Sequence, residues 1–156
     1  DTPLEAGQCV LIDVGGVYQD YCSDMTRTFF TGEPSEEERK VYELVRQAQA
    51  AAEALVKPGV CLCEIDAAAR DLITEAGYGP YFNHRLGHFI GLEDHEAGDV
   101  SAVNENVVTL GMCFSIEPGI YLPGKFGVRI EDLVLVTEDG CEVLNHYPHE
   151  LRVHPF

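Results

Sequence analysis

An α+β fold is what this 156-residue sequence predicts, and two observations predict it. Strand-like runs rich in apolar, β-branched and aromatic residues occupy both ends of the chain, whereas amphipathic helical periodicity is confined to the stretch between them. The strand-like runs also come in pairs around turns, so the sheet they build is antiparallel and backed by the helices.

Residues 9–14 form a short apolar run fit for a buried strand, followed by Gly15-Gly16. Residues 21–30 read as its return strand, and a turn near Tyr18-Gln19 places Asp13 directly opposite Asp24. Directly opposed residues share a face with Cβ atoms ~4.5–5.5 Å apart. Gly32-Glu33-Pro34 then breaks the chain. Ser35-Glu36-Glu37-Glu38 is a capping box, in which the serine hydroxyl takes a free amide and the third glutamate reaches back. Val41, Leu44, Val45, Ala48, Ala52 and Leu55 recur at helical spacing, and Lys57-Pro58-Gly59 ends that helix. A second helix is expected over 64–76, with Gly77 as its left-handed cap. Further on, residues 112–121 and 128–136 are strand candidates around the loop Leu122-Pro123-Gly124-Lys125-Phe126. Centring that hairpin on Gly124 sets Glu117 opposite Glu131. Asp139-Gly140 turns into a last short strand over 142–144.

Composition narrows the function. The length fits one domain, and 46% hydrophobic residues suffice for a core. A formal charge of −17 argues against a nucleic-acid partner, because phosphate binding needs a basic patch. There is no apolar run of membrane-spanning length and no secretory signal in these residues. Cys9, Cys22, Cys61, Cys63, Cys113 and Cys141 mostly lie in apolar surroundings, and Cys61 and Cys63 match neither a redox CxxC pair nor a zinc knuckle. A reduced, cytoplasmic protein is the expectation. The chain has no initiator Met and opens as a turn over 1–7, which reads as a fragment of something longer.

The acids then acquire a meaning. Asp13 follows Val10-Leu11-Ile12, Glu117 follows Phe114-Ser115-Ile116, and Glu131 follows Val128-Arg129-Ile130. Ionised carboxylates embedded in apolar strands are costly unless paired or bound to metal. Two divalent cations would balance Asp13, Asp24, Glu117 and Glu131, which would otherwise repel one another. His88, in Gly87-His88-Phe89-Ile90-Gly91, supplies an imidazole, with His84 and His95 close in sequence. His146, His149 and His154 lie in a polar tail and read as surface residues.

Six segments, taken together and in order, resemble the pita-bread metallopeptidases of family M24. They are Leu11-Ile12-Asp13-Val14-Gly15, Ser23-Asp24-Met25-Thr26-Arg27-Thr28, the run from His84 to Leu92, His95-Glu96, Ser115-Ile116-Glu117-Pro118-Gly119-Ile120-Tyr121 and Val128-Arg129-Ile130-Glu131-Asp132. The branch they resemble most is prolidase (Xaa-Pro dipeptidase) and aminopeptidase P.

The resemblance implies a curved antiparallel sheet backed by helices. It also implies that residues 1–156 are the C-terminal part of a catalytic domain whose first part, and an N-terminal domain, lie outside this chain. It assigns Asp13, Asp24, His88, Glu117 and Glu131 to two divalent ions, with Asp24 and Glu131 bridging. Mn²⁺ suits that oxygen-rich set, and Co²⁺ or Zn²⁺ are alternatives. The implied reaction is hydrolysis of an Xaa-Pro peptide bond, with cations that make water nucleophilic near neutral pH. Glu117 shuttles the proton, His84 and His95 hold substrate and stabilise the oxyanion, and Arg129 binds substrate or orients the ligand carboxylates. The implied partner is a proline-containing dipeptide, or a longer peptide for an aminopeptidase P, and the implied intact assembly is a homodimer. A metal-free binding module is the alternative of another class, and five filled ligand positions argue against it. Phe89 stands where the family often has glycine, and Ala97-Gly98-Asp99 where several prolidases carry an arginine for the dipeptide carboxylate. An acid there would repel that group, so dipeptide recognition needs another cation.

Overall fold

Two ten-residue strands, β1 (Cys9–Tyr18) and β2 (Tyr21–Phe30), form one antiparallel hairpin. The structure, a computed structural model, describes residues 3–155, so Asp1 and Thr2 of the expected opening turn lie outside the described residues. The tight turn is made by Gln19 and Asp20, both at positive φ (50° and 65°). Two consecutive left-handed residues are the geometry that matches the twist of a two-residue hairpin. The turn therefore lies one residue later than expected, and the pairing slips by two. Asp13 faces Thr26, and Asp24 faces Gly15. Because side chains alternate with period two, a two-residue slip keeps both acids on one face. β1 was read as buried, yet beyond Leu11 it is exposed, with Ile12 and Val14 about half accessible. Among the described residues it pairs only with β2.

Helix α1 (Glu36–Leu55) begins with the expected capping box: the Ser35 hydroxyl accepts from Glu38 N–H, and the Glu38 carboxylate accepts from Ser35 N–H. Val41, Val45, Ala48 and Ala52 are fully buried, whereas Leu55 at the fraying end is exposed. Helix α2 (Leu62–Glu75) starts two residues earlier than expected, because the Cys61 sulfur serves as its N-cap. Gly77 follows at φ 88° as the left-handed stop. Cys61 and Cys63 were expected as thiols but are joined in a disulfide, the first helical turn holding their Cα atoms 5.2 Å apart. The other four cysteines are free.

Both long strands expected in the second half are broken in two. β5 (Cys113–Ile116) and β6 (Gly119–Leu122) replace the run 112–121, and β7 (Phe126–Arg129) and β8 (Asp132–Val136) replace 128–136. The register is the same on both sides of the break: Ile116 pairs with Asp132, and Gly119 with Arg129. One long hairpin is thus interrupted at Glu117-Pro118 and Ile130-Glu131. Pro118 has no N–H to continue the ladder. At the gap the backbones turn to other partners, Glu117 N–H donating to Leu86 O and Glu131 N–H to Thr26 O. β3 (Gly87–His88) pairs with β4 (Asp99–Val100), and β9 (Cys141–Val143) closes the edge of β8. The expected single curved sheet is therefore four small antiparallel sheets, stitched by isolated bridges such as Thr26 to Glu131 and Phe89 to Phe114.

The main core lies between the two helices and the inner faces of these strands, with Phe30, Tyr42, Ile65, Phe114, Ile116, Ile120 and Ile130 among its buried members. Among the described residues, no helix is long and apolar enough to cross a membrane.

Candidate metal centre

The break in the long hairpin is where the acids gather. Glu131 and Glu117 sit in the gap, Asp24 comes from β2, and His88 comes from β3. Ligand atoms of Asp24, His88 and Glu131 all lie within 4.8 Å of one another. His88 Nε2 is 3.5 Å from Asp24 Oδ2, 3.7 Å from Glu117 Oε1 and 4.0 Å from Glu131 Oε1. Four of the five expected ligands thus converge. Asp13 is on the same rim but half exposed, its carboxylate paired with Arg129.

Close packing holds His88 in place. A Cβ on Gly87 would fall 1.8 Å from Ser115 O, so only glycine lets β3 approach β5 this closely. The Ser115 hydroxyl accepts from His88 N–H at 2.9 Å and lies 3.1 Å from Glu117 Oε1, to which it donates. His88 Nδ1 is 3.2 Å from Phe89 O. A carbonyl only accepts, so Nδ1 carries a proton, and Nε2, which faces the carboxylates, is the nitrogen that could ligate a metal in place of its own proton.

Electrostatics describe a cluster short of positive charge. Burial, then the charge of Glu117, pushes Glu131 up to about 8, and burial also raises Glu117. Burial works against ionised Asp24, but hydrogen bonding and charge from His88 outweigh it and lower its pKa. Burial likewise opposes protonated His88, and its carboxylate neighbours prevail and raise it. Burial and the charge of Asp24 lift Asp13 against the pull of Arg129. Acids that raise one another's pKa fit a donor set made for cations.

The surrounding wall is an open cavity of about 520 Å³ that includes all the acids, His84, His88, His95, Asn83, Arg85, Tyr121 and Arg129. His84 is aimed from behind by Arg70 of α2, which pairs with the buried Asp66 and donates to Phe82 O and His84 O. Its Nδ1 lies 2.7 Å from Arg85 O, and its buried Nε2 has no partner among the described residues. Burial lowers its pKa, so Nε2 of the neutral ring is an acceptor. The exposed His95 packs edge-on against His88 with ring centroids 4.1 Å apart.

Arg129 was expected at the substrate or behind the ligands, and its donors are committed within the protein. Nε donates to Thr26 Oγ1 and Nη1 to Tyr121 OH, both at 3.0 Å, and Nη2 to Asp13. Thr26, Tyr121 and Ser115 are therefore site residues that the sequence reading quoted in motifs without giving them a role. Asp99 is turned away from the cavity, accepting from Ser101 Oγ at 2.8 Å and presenting its backbone carbonyl to Asn104.

The chain is similar to known proteins over nearly its whole length. An uncharacterized peptidase of Staphylococcus aureus (strain MRSA252) is 53% identical over 147 residues, which is 94% of this chain and 42% of that relative. The dipeptidase PepE from Mycobacterium ulcerans superposes with a TM-score of 0.96 at 49% identity, covering 98% of this chain and 42% of that one. The prolidase from Pyrococcus furiosus does so with a TM-score of 0.93 at 48% identity, covering 95% and 44%. The chain thus spans less than half the length of each. Residues 1–138 match the sequence model of metallopeptidase family M24, so the chain belongs to that family, whose fold is the pita bread.

Proposed function

We propose that this chain carries the dinuclear metal centre of a peptidase that hydrolyses the Xaa-Pro bond, with dipeptides as its preferred substrates. The convergence of Asp24, His88 and Glu131 ligand atoms within 4.8 Å, with Glu117 beside them, is the observation that carries it. Asp13, on the same rim and held there by Arg129, would complete the set. Divalent cations, Mn²⁺ by the hardness of the donors, would supply Lewis acidity and a water of lowered pKa.

The chain's own residues account for the rest. Glu117, raised by burial and hydrogen-bonded to Ser115, can take a proton at its carboxylate and pass it to the departing proline nitrogen. His84, on the cavity wall with a buried Nε2 that has no partner among the described residues, would help to hold the substrate. Arg129 keeps Asp13 and Tyr121 in place around the reacting centre. Arg85 supplies the wall with a cation suited to a free carboxylate, and Asp99 does not oppose it because it faces elsewhere. The dipeptidase and prolidase named above support the same choice.

The test is hydrolysis by the full-length protein, stripped with chelator and reloaded with Mn²⁺. Xaa-Pro dipeptides should be cleaved with kcat/KM ~10-fold or more above longer Xaa-Pro peptides, a difference of about 1.4 kcal/mol. Preference for the longer peptides would identify an aminopeptidase P instead. Absence of any Mn²⁺-dependent turnover would leave the metal-free binding module as the reading.

A further inference from the structure

Behind the carboxylates, on the side away from the cavity, lies a polar network that the chemistry above does not use. Asp132, next to Glu131, is fully buried. Its Oδ1 accepts from Arg27 Nη2 at 2.7 Å, and its Oδ2 from Gln49 Nε2 at 2.7 Å and His149 Nε2 at 2.5 Å. Arg27 turns a second nitrogen to the backbone of the site, donating through Nη1 to Glu131 O at 2.6 Å and Thr26 O at 2.9 Å. It also reaches the tail through Tyr147 O, at 2.8 Å from Nη2.

The tail returns the contact a few residues earlier. Asn145 accepts from Leu133 N–H at 2.6 Å and donates to Asp24 O at 3.0 Å. One amide side chain therefore ties the backbone of a candidate ligand on β2 to β8, two residues beyond the candidate ligand Glu131 that precedes that strand. His149 is anchored by a third element, since Tyr42 OH of α1 donates to its carbonyl at 3.1 Å. A segment of polar and proline character is thereby pinned across β2, β8 and α1.

We propose that the segment from Asn145 to His149, acting through Arg27 and Asp132, is a positioning strap that fixes the spacing of the Asp24 and Glu131 carboxylates for cation binding. The inference rests on the metal-centre reading above. Asn145 and His149 touch no reacting group and act through the backbone of Asp24 and through Asp132. Hydrogen-bond partners beyond the ligands typically change metal affinity ~10–100-fold when removed. A purely structural tail would instead cost stability alone.

Isothermal titration of metal-free full-length protein with Mn²⁺ separates these roles. Asn145→Ala should weaken Mn²⁺ binding ~10-fold. Its metal-free melting temperature should fall by only a few degrees, ~2–4 °C per kcal/mol lost. Ser35→Ala, which removes the remote α1 cap at a cost of about 1 kcal/mol, is the control. It should lower the melting temperature comparably and leave Mn²⁺ affinity unchanged. His149→Ala, which leaves Asp132 two donors, should weaken Mn²⁺ binding several-fold and serves if Asn145→Ala does not fold. Wild-type affinity in the foldable variants, or an equal loss in Ser35→Ala, would overturn the strap. A wild-type protein that binds no Mn²⁺ would instead overturn the metal-centre reading.

Discussion

The Thr26 hydroxyl donates to Glu131 Oε2 at 2.5 Å, and the two residues also share an isolated backbone bridge. The same hydroxyl accepts from Arg129 Nε, so one fully buried oxygen orders both a candidate ligand and the arginine that holds Asp13. Thr26→Val keeps the shape and removes the hydroxyl, leaving Glu131 and Arg129 each short of a partner. The expected result is ~10-fold weaker Mn²⁺ binding in a calorimetric titration and a loss of about 1–2 kcal/mol of stability. Thr26→Ser should restore most of both, and a Val variant with wild-type Mn²⁺ affinity would show that the hydroxyl is idle.

Glu131 stands where the two hairpins meet, 2% exposed and pushed up to about 8 by burial and by Glu117. If it bridges two cations, no neighbour can replace it. Glu131→Ala should lower kcat on an Xaa-Pro dipeptide by at least ~10³-fold, about 4 kcal/mol. Metal analysis of the same preparation should find fewer bound ions than in the wild type. Near-normal turnover would refute a two-metal site built on this residue.

How far the sequence carried this picture depended on the range of each interaction. Ser35 and Glu38 cap α1 through contacts three residues apart, so the capping box was legible. The facing of Glu117 and Glu131 was legible too, because the loop around Gly124, at φ 71°, marks the centre of its hairpin. The first hairpin was misregistered because Gln19 and Asp20 adopt left-handed φ without glycine, and nothing local marks them as the turn. Alternation still kept Asp13 and Asp24 on one face, since the slip was even. His149, read as a surface residue, is a third exposed, but its ties to Asp132 and Tyr42 were hidden because those residues are distant in sequence. Hydropathy sees only the polar tail. The same limit hid the internal commitments of Arg129, which depend on Thr26 and Asp13 arriving from the other hairpin.

Glu53 offers a pH-dependent test away from the acids of the site. It lies on α1 with Oε1 buried and unpartnered among the described residues. Burial first, then the charge of Asp132, raises its pKa to about 7. In the unfolded chain it ionises near ~4.3. Between these values the folded state holds the extra proton, so stability falls as pH rises from ~4.3 to about 7 and then levels. After discounting for partial exposure, the loss is on the order of 2 kcal/mol. Glu53→Gln should therefore raise the melting temperature at pH 8 relative to wild type and change it little at pH 4. Equal shifts at both pH values would mean that the ionisation of Glu53 is not what costs stability.

Arg85 is the residue on which dipeptide selectivity should turn. It is exposed, lines the same cavity as the acids, and its guanidinium has no ion-pair partner among the described residues. Arg129, the cavity's other arginine, is spent on Thr26, Tyr121 and Asp13. A free C-terminal carboxylate on the proline of a dipeptide can take two parallel hydrogen bonds from such a group. Hydrogen bonds to charged groups contribute about 1.5–3 kcal/mol, so Arg85→Ala should raise KM for an Xaa-Pro dipeptide ~10–100-fold with kcat little changed. The matching C-terminal amide, which lacks the charge, should be cleaved by wild type and variant alike. Arg85→Lys should recover part of the affinity, as a point charge without the planar fork. A variant that loses dipeptide and amide equally would place Arg85 in the general shape of the wall rather than at the carboxylate.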